Sequence, residues 1–279
     1  MKILFNKKFL DHNPLNQAEG AYRIKDFSDI EDTVVNGEEY ISLVHNEDYI
    51  ERIKKSCELG GILAEVNVSP ETYEAACLAV GATIKASEQN DFAVVRPPGH
   101  HSRQFMEAGF CFFNNIAIAT QKLINEGKKV FILDIDGHHG DGTQSIFYKS
   151  DKVLFCSIHQ QYAYPFSGET TETGAGDGKD YTMNFPLPAG SGDKELLKCV
   201  DTAIKKAVDF NPDHVGVSAG FDGYEKDLLL NLNYTLNGYY EVGKRLSDNF
   251  KNIFAVLEGG YHADVRKCTE SVMKGVNKE

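Results

Sequence analysis

The chain has 279 residues, 42% of them hydrophobic and 25% charged, proportions that suit a globular protein with a substantial core. Lys and Arg number 29 against 41 Asp and Glu, a net charge of −12, which argues against a phosphate backbone as partner and favours a cationic substrate. The opening MKILFNKKFLDHN lacks the apolar stretch of a secretion signal, no run approaches the ~18–20 apolar residues of a membrane span, and the six scattered cysteines form no C-x-x-C pair; a cytoplasmic protein with reduced thiols, bound to neither nucleic acid nor membrane, is expected.

In chain order, Ile3–Phe5 reads as a first short strand. Glu71–Glu88 carries Ala75, Leu78, Ala79 and Ile84 at helical spacing. Phe92–Arg96 (FAVVR) is β-rich, and Asn114–Glu126 is again helical. Three β-rich runs follow: Val130–Asp136 (VFILDID), Val153–His159 (VLFCSIH) and Tyr181–Leu187 (YTMNFPL). The glycine-rich Gly168–Gly178 before the last is expected to be a surface loop. A helix over Glu195–Phe210 precedes His214–Ala219 (HVGVSA) and Ile253–Glu258 (IFAVLE). Several of these runs are apolar on both faces, as in strands of a parallel sheet covered by helices. The alternation predicts the α/β class: one domain over 1–279, with an open, mostly parallel sheet flanked by helices.

Ligands of such sheets bind beyond the carboxyl ends of the strands. After FAVVR comes Pro97-Pro98-Gly99-His100-His101; after VFILDID, Gly137-His138-His139-Gly140-Asp141-Gly142. His159 closes VLFCSIH. Gly220-Phe221-Asp222 follows HVGVSA, and Gly259-Gly260-Tyr261-His262 follows IFAVLE. Seven of the nine histidines fall on these five strand-and-loop segments.

Asp134, Asp136 and His138 are two apart along a strand running into a loop, so Asp136 and His138 can share a face and reach one cation. Asp222 offers a third ligand. Three protein ligands with an open position is the pattern of a catalytic zinc, although D-x-H alone is a weak signal. Adjacent histidines after a Pro-Pro-Gly turn are poorly explained by packing. Asp134 and Asp141 can each accept a hydrogen bond from an imidazole, fixing its tautomer and raising its basicity, which makes a general base. Tyr261, after two glycines, can donate to a developing oxyanion, or it is simply a core or rim tyrosine. Gly109–Asn115 (GFCFFNN) forms either tunnel walls or a buried helix start capped by Asn. Cys111 lacks nucleophile partners and is expected to pack as a small hydrophobe.

These stretches resemble the histone deacetylase family, including its acetoin-utilisation and acetylpolyamine amidohydrolase relatives. RPPGHH (Arg96–His101), GFCFFNN, DIDGHHGDGTQ (Asp134–Gln144), SAGFDGYEKDLL (Ser218–Leu229) and LEGGYH (Leu257–His262) occur in the family's order, with a weaker match in VHNEDYIERI (Val44–Ile53). The resemblance implies an arginase-like fold and zinc-dependent hydrolysis of an N-acyl amine, with Fe2+ or Co2+ as other metals such a site accepts. By position it implies Asp136, His138 and Asp222 as metal ligands and His101 with Asp141 as general base and acid. It further implies His100 with Asp134 as electrostatic partner and Tyr261 as the carbonyl-polarising group. A structural K+ site is implied at Asp134, Asp136, His138, Ser157 and Ile158, with a second at Phe147, Ser150, Val153 and Tyr181. Gly109, Phe110 and Tyr164 would line an acyl-lysine tunnel.

Two departures bear on the substrate. Where some members carry a glutamate that reads polyamine cations, this chain has Leu229, and the family's N-terminal His-Pro-Glu pattern is here His12-Asn13-Pro14. The expected substrate is an acylated amine, whether an acetyl-lysine peptide or a small acetylated amine. Rival readings are a deacylase for acetylpolyamines or other small amides, and a catalytically silent protein that retains the pocket. The sequence carries no signal for the oligomeric state.

Overall fold

The structure is a computed structural model and describes residues 1–13, 18–30 and 34–279; Pro14 lies outside the described residues. The strands are β1 (Ile3–Leu4), β2 (Gly61–Leu63), β3 (Val66–Val68), β4 (Phe92–Ala93), β5 (Val130–Asp134), β6 (Val153–Gln160), β7 (Thr182–Leu187), β8 (His214–Ala219) and β9 (Ile253–Leu257). The α-helices are α1 (Glu47–Leu59), α2 (Pro70–Gln89), α3 (Asn115–Asn125), α4 (Asp141–Phe147), α5 (Asp193–Phe210), α6 (Leu236–Asn249) and α7 (Val265–Asn277).

Seven strands form one sheet in the order β1-β4-β9-β8-β5-β6-β7, every neighbouring pair parallel. Parallel strands need helical crossovers that cover both faces, so the central strands are apolar throughout. Phe131, Ile132 and Leu133 on β5 are fully buried, as are Phe254, Ala255 and Val256 on β9. The remaining strands, β2 and β3, make an antiparallel hairpin.

α2 starts with Pro70 at a position where its missing N–H is harmless and stops at Asn90, in the left-handed region at φ 60°. It is buried around most of its circumference, and its small residues allow close approach: Gly37 N donates to Cys77 O at 2.9 Å. Asn114 caps α3 by accepting from Ala117 N at 3.0 Å, as the sequence suggested. α1, α4, α6 and α7 are helices that the sequence reading did not anticipate. α7 buries Val265, Cys268, Thr269, Val272 and Gly275, a helical stripe that packs on α6.

Several strands end earlier than their composition suggests. β5 stops at Asp134 because the Asp134 carboxylate turns back and accepts from Asp136 N at 3.1 Å, which bends the chain out of the sheet. Ile135 N still reaches Ser218 O at 3.0 Å. β4 ends at Ala93, four residues before Pro97, which has no N–H to give a ladder. His214 opens β8 and therefore lies at the sheet edge opposite the strand ends that carry the other site histidines. Among the described residues, no helix is long and apolar enough to cross a membrane. All six cysteines are buried and free.

Candidate metal centre and acyl pocket

The carboxyl ends of β4, β5, β8 and β9 converge on one spot. Asp136 and His138 come from the turn after β5, and Asp222 from the turn after β8. Their ligand atoms all lie within 4.8 Å of one another. His138 Nδ1 is 2.6 Å from Asp222 Oδ2 and 3.3 Å from Asp136 Oδ1. The backbone orients these carboxylates: Gly137 N donates to Asp222 Oδ1 at 2.5 Å, His138 N to Asp136 Oδ1 at 2.9 Å and Gly259 N to Asp136 Oδ2 at 2.7 Å. Close approach here requires glycine. A Cβ at Gly220 would sit 1.9 Å from Asp136 Oδ2, and one at Gly259 would sit 2.6 Å from both Asp136 Oδ2 and Asp222 Oδ2.

Two fully buried carboxylates facing each other demand a positive charge between them. Burial and the Asp136 charge push the Asp222 carboxyl up to about 7. Burial opposes a charge on His138, but Asp222 and Asp136 outweigh it and raise the imidazole to about 10. The donor set of two carboxylates and one imidazole, with this hunger for a cation, fits a divalent metal.

His100 and His101 follow the Pro-Pro-Gly turn with ring centroids 4.0 Å apart and have opposite environments. His100 Nδ1 is 3.1 Å from Asp134 Oδ2, and Nε2 is 3.8 Å from Asp136 Oδ1. Burial works against its charge, yet Asp136 and Asp134 hold it well above the usual imidazole range. His101 Nδ1 is 2.8 Å from Asp141 Oδ1, and burial together with the neighbouring His100 cation pulls it down to about 4. The two adjacent imidazoles are thus pushed in opposite directions, one towards its charged and the other towards its neutral form.

Above the three metal-fitting residues lies a cavity of about 250 Å³ lined by Glu65, His101, Gly109, Phe110, His138, Tyr164, Leu229 and Tyr261. Its walls are aromatic: Tyr164 stands edge-on to His101 at 5.1 Å, and Phe110 is edge-on to Tyr261 at 5.9 Å. Gly109 and Phe110 both have positive φ, 53° and 69°, which folds this wall tightly over His101. Phe110 N donates to Ala64 O at 3.1 Å, tying the wall to the hairpin that carries Glu65. Tyr261 is buried, and Arg23 lies over its ring at 5.0 Å while donating to Gly260 O at 2.5 Å.

The fold brings Asp134 level with Ser157 on the adjacent strand, with Ile158 next to it and Asp136 and His138 just beyond. Phe147 closes α4, Ser150 and Val153 lead into β6, and Tyr181 precedes β7. Ser150 N donates to Phe147 O at 2.9 Å and Phe155 N to Tyr181 O at 2.9 Å. His159 lies at the carboxyl end of β6, one residue before its last, and bonds to Ser157 Oγ at 2.9 Å and Gly168 O at 3.1 Å.

Sequence reasoning overlooked several residues. Glu258 is fully buried behind His100; its Oε2 accepts from Gly99 N at 2.7 Å and His100 N at 3.1 Å, and its Oε1 from Ser218 Oγ at 3.1 Å. A carboxylate ending an apolar strand was the available signal. Asp227 fixes Tyr261 by accepting from its N–H at 2.6 Å. Glu65, at the pocket mouth, had no motif to mark it.

Residues 12–276 match the model of the histone deacetylase domain. A probable deacetylase of Archaeoglobus fulgidus is 39% identical over 236 residues, 79% of this chain and 66% of that protein. An acetylpolyamine amidohydrolase of Mycoplana ramosa is 36% identical over 224 residues, 76% of this chain and 66% of that protein. The chain thus spans about two thirds of the length of these relatives. The crystal structure of the HDA15 HD domain superposes with a TM-score of 0.93 at 28% identity, covering 100% of this chain and 88% of that one. That of an acetylpolyamine aminohydrolase from Burkholderia pseudomallei gives 0.88 at 27%, covering 99% and 98%. The chain belongs to the histone deacetylase family, and its parallel sheet has the arginase/deacetylase-like architecture.

Proposed function

We propose that this chain is a metal-dependent amidohydrolase that removes acetyl or other short acyl groups from N-acylated amines such as acetyl-lysine, releasing acetate. One observation carries the reading: Asp136, His138 and Asp222 cluster as a metal-fitting trio, and His138 opens from it onto a cavity whose walls hold a carboxylate-tethered histidine and a tyrosine. Similarity to proteins named deacetylase and acetylpolyamine amidohydrolase supports it.

Asp136, His138 and Asp222 would hold zinc, and the same donors accept Fe2+ or Co2+. A bound divalent ion supplies polarisation of the acyl carbonyl and acidification of a water. His101, its Nδ1 engaged by Asp141, takes the water's proton at Nε2 as the water's oxygen bonds to the carbonyl carbon. Its depressed basicity keeps it unprotonated near neutrality. Tyr261 donates its hydroxyl to the developing oxyanion. His100, held cationic by Asp134 and Asp136, adds positive charge beside the reacting group. The C–N bond then breaks as His101, or His100, returns a proton to the amine. Gly109, Phe110, Tyr164 and Leu229 enclose the acyl-amine stem.

The K+ assignments belong to the same reading. Asp134, Asp136, His138, Ser157 and Ile158 form the first site, and Phe147, Ser150, Val153 and Tyr181 the second; the in-register pairing of Asp134 with Ser157 supports the first. Six free, buried thiols support a cytoplasmic setting. A single catalytic domain is supported by the one seven-stranded sheet, whose strands are drawn from Ile3 to Leu257.

Glu65 at the mouth and the net charge of −12 favour an amine that bears further positive charge. The test is acetate release from an acetyl-lysine peptide and from acetylated polyamines, with and without a chelator, followed by zinc restoration. Chelator-sensitive, zinc-restored release is expected. Zinc-loaded protein that frees acetate from neither class would overturn the proposal.

A further inference from the structure

Asp141 is bonded from two sides, and only one of its partners belongs to the machinery described so far. His101 takes Oδ1. Arg103, two residues further on, donates to Oδ2 through Nε at 2.9 Å and Nη2 at 2.7 Å. A carboxylate turns readily about its terminal bond, whose torsional minima are broad. A single imidazole bond leaves that rotation soft. Two guanidinium donors on the other oxygen stop it, because the guanidinium is planar and its donors are fixed relative to each other.

The loop is built to deliver both groups. His101 sits in a turn closed by Ser102 N, which donates to Gly99 O at 2.9 Å, and its ring and the Arg103 guanidinium meet the two oxygens of one carboxylate. Between them, Ser102 anchors the loop: its Oγ donates to Phe112 O at 2.7 Å. Asn114 Nδ2 donates to Ser102 O at 3.0 Å. Arg103 N then closes a tight turn onto Met106 O at 2.8 Å. Burial disfavours the Asp141 charge, yet His101 and Arg103 together keep the carboxyl below its ordinary range.

We propose that Arg103 is a positioning residue for the general base: it locks the Asp141 carboxylate so that His101 is held as the Nδ1–H tautomer with Nε2 facing the acyl cavity. The proposal rests on the deacylase reading only for the name of the reaction; the tautomer is a property of the resting protein. Arg103 does not touch the acyl cavity. Its side chain is 43% exposed and lines a separate open cavity of about 500 Å³ on the far side of Asp141, together with His139, Gln144, Lys149 and Glu172. A small cation can therefore reach the Asp141 carboxylate from solvent without entering the active site.

Three proteins decide it: wild type, Arg103→Ala and Arg103→Lys, each as the full chain loaded with zinc. In 15N-histidine spectra near neutral pH, with His101→Gln used for assignment, wild type shows a protonated Nδ1 and an unprotonated Nε2. Arg103→Ala shows a mixture of tautomers. In turnover, Arg103→Ala loses about ten- to a hundredfold in kcat, the usual effect of removing a group that orients a ligand or base. KM and zinc content stay within twofold. Guanidinium ion at tens of millimolar recovers part of both readouts, and Arg103→Lys falls between wild type and Ala. A wild-type tautomer in Arg103→Ala overturns the proposal. So does a loss of kcat that neither guanidinium nor Lys recovers, or one that tracks zinc loss. If wild type turns over nothing, the deacylase reading fails, while the spectra still decide the role of Arg103.

Discussion

The floor and the rim of the pocket are built on opposite principles. On the floor, Asp134, Asp136, Asp222 and Glu258 are buried to 1% exposure or less, and backbone amides or imidazoles hold their carboxylates. On the rim, Tyr162, Phe166 and Leu228 are about 80% exposed, and Leu229 is about half exposed. They stand on loops flanking the residues that line the cavity. The floor has one arrangement because an unpaired buried charge is expensive. The rim is free to vary because nothing in the fold depends on it. Chemistry and substrate choice are therefore separable here, and the two regions should respond differently to substitution.

The largest effects belong to the floor. Asp222→Asn should abolish stoichiometric zinc binding, measured by elemental analysis, and lower kcat/KM by on the order of a thousandfold, about 4 kcal/mol. The same change should raise the melting temperature of the zinc-free protein, because it removes one of two facing buried carboxylates. A variant that keeps its metal removes Asp222 from the ligand set. Tyr261→Phe should keep its metal and lose about a hundred- to a thousandfold in kcat, the effect of removing one oxyanion donor. Full activity in that variant removes Tyr261 from the chemistry.

A third prediction concerns the scaffold between the two regions. His45 is buried and accepts from Asn114 N at 3.0 Å, while its other ring nitrogen lies 3.2 Å from Gln104 O. Burial lowers it from 6.5 to about 4. Between those pH values the unfolded chain binds a proton that the folded chain refuses, so stability is lost as pH falls from about 6.5 to about 4. The full shift corresponds to about 3 kcal/mol. Urea unfolding across that window should show a shallower pH slope for His45→Gln than for wild type. An unchanged slope would place the acid sensitivity elsewhere, for instance at His159, which is lowered to about 3.

The same contrast explains what could be read from the sequence. Residues of the floor and of the wall beside it were legible because a parallel sheet puts its chemistry at strand ends, so Asp136, His138 and Asp222, and with them His101 and Tyr261, were marked by their places after strands. Glu258 was missed because it was read only as the last residue of a strand, and Arg103 because it lies between two motifs, yet one bonds His100 N and the other the carboxylate that holds His101. The central strands announced themselves by apolar runs, and α2 by apolar residues at helical spacing. α1, α6 and α7 did not: α1 buries only Tyr49, Ile53 and Cys57, and α6 and α7 are interrupted by Gly238, Gly243 and Gly275, which are poor helix formers. Their helicity comes from packing, which a local reading does not see. The hairpin that brings Glu65 to the pocket is three residues per strand, too short for a periodic signal.

The smallest effect should come from the rim. Leu229 lines the cavity together with Glu65 and is 48% exposed. Leu229→Glu adds a second carboxylate where the distal part of a substrate passes. A solvated charge pair contributes roughly 0.2–1 kcal/mol, so the ratio of kcat/KM for an acetylated polyamine over a neutral acetyl-lysine peptide should rise by about 1.4- to fivefold. Because the gain is electrostatic and exposed, it should shrink towards unity as ionic strength rises to 1 M, where the screening length falls to about 3 Å. Zinc content and kcat on the neutral peptide should stay close to wild type. If the ratio is unmoved at low salt, the rim does not read the amine's charge at this position. If kcat falls for both substrates alike, rim and floor are coupled, and the separation between them fails.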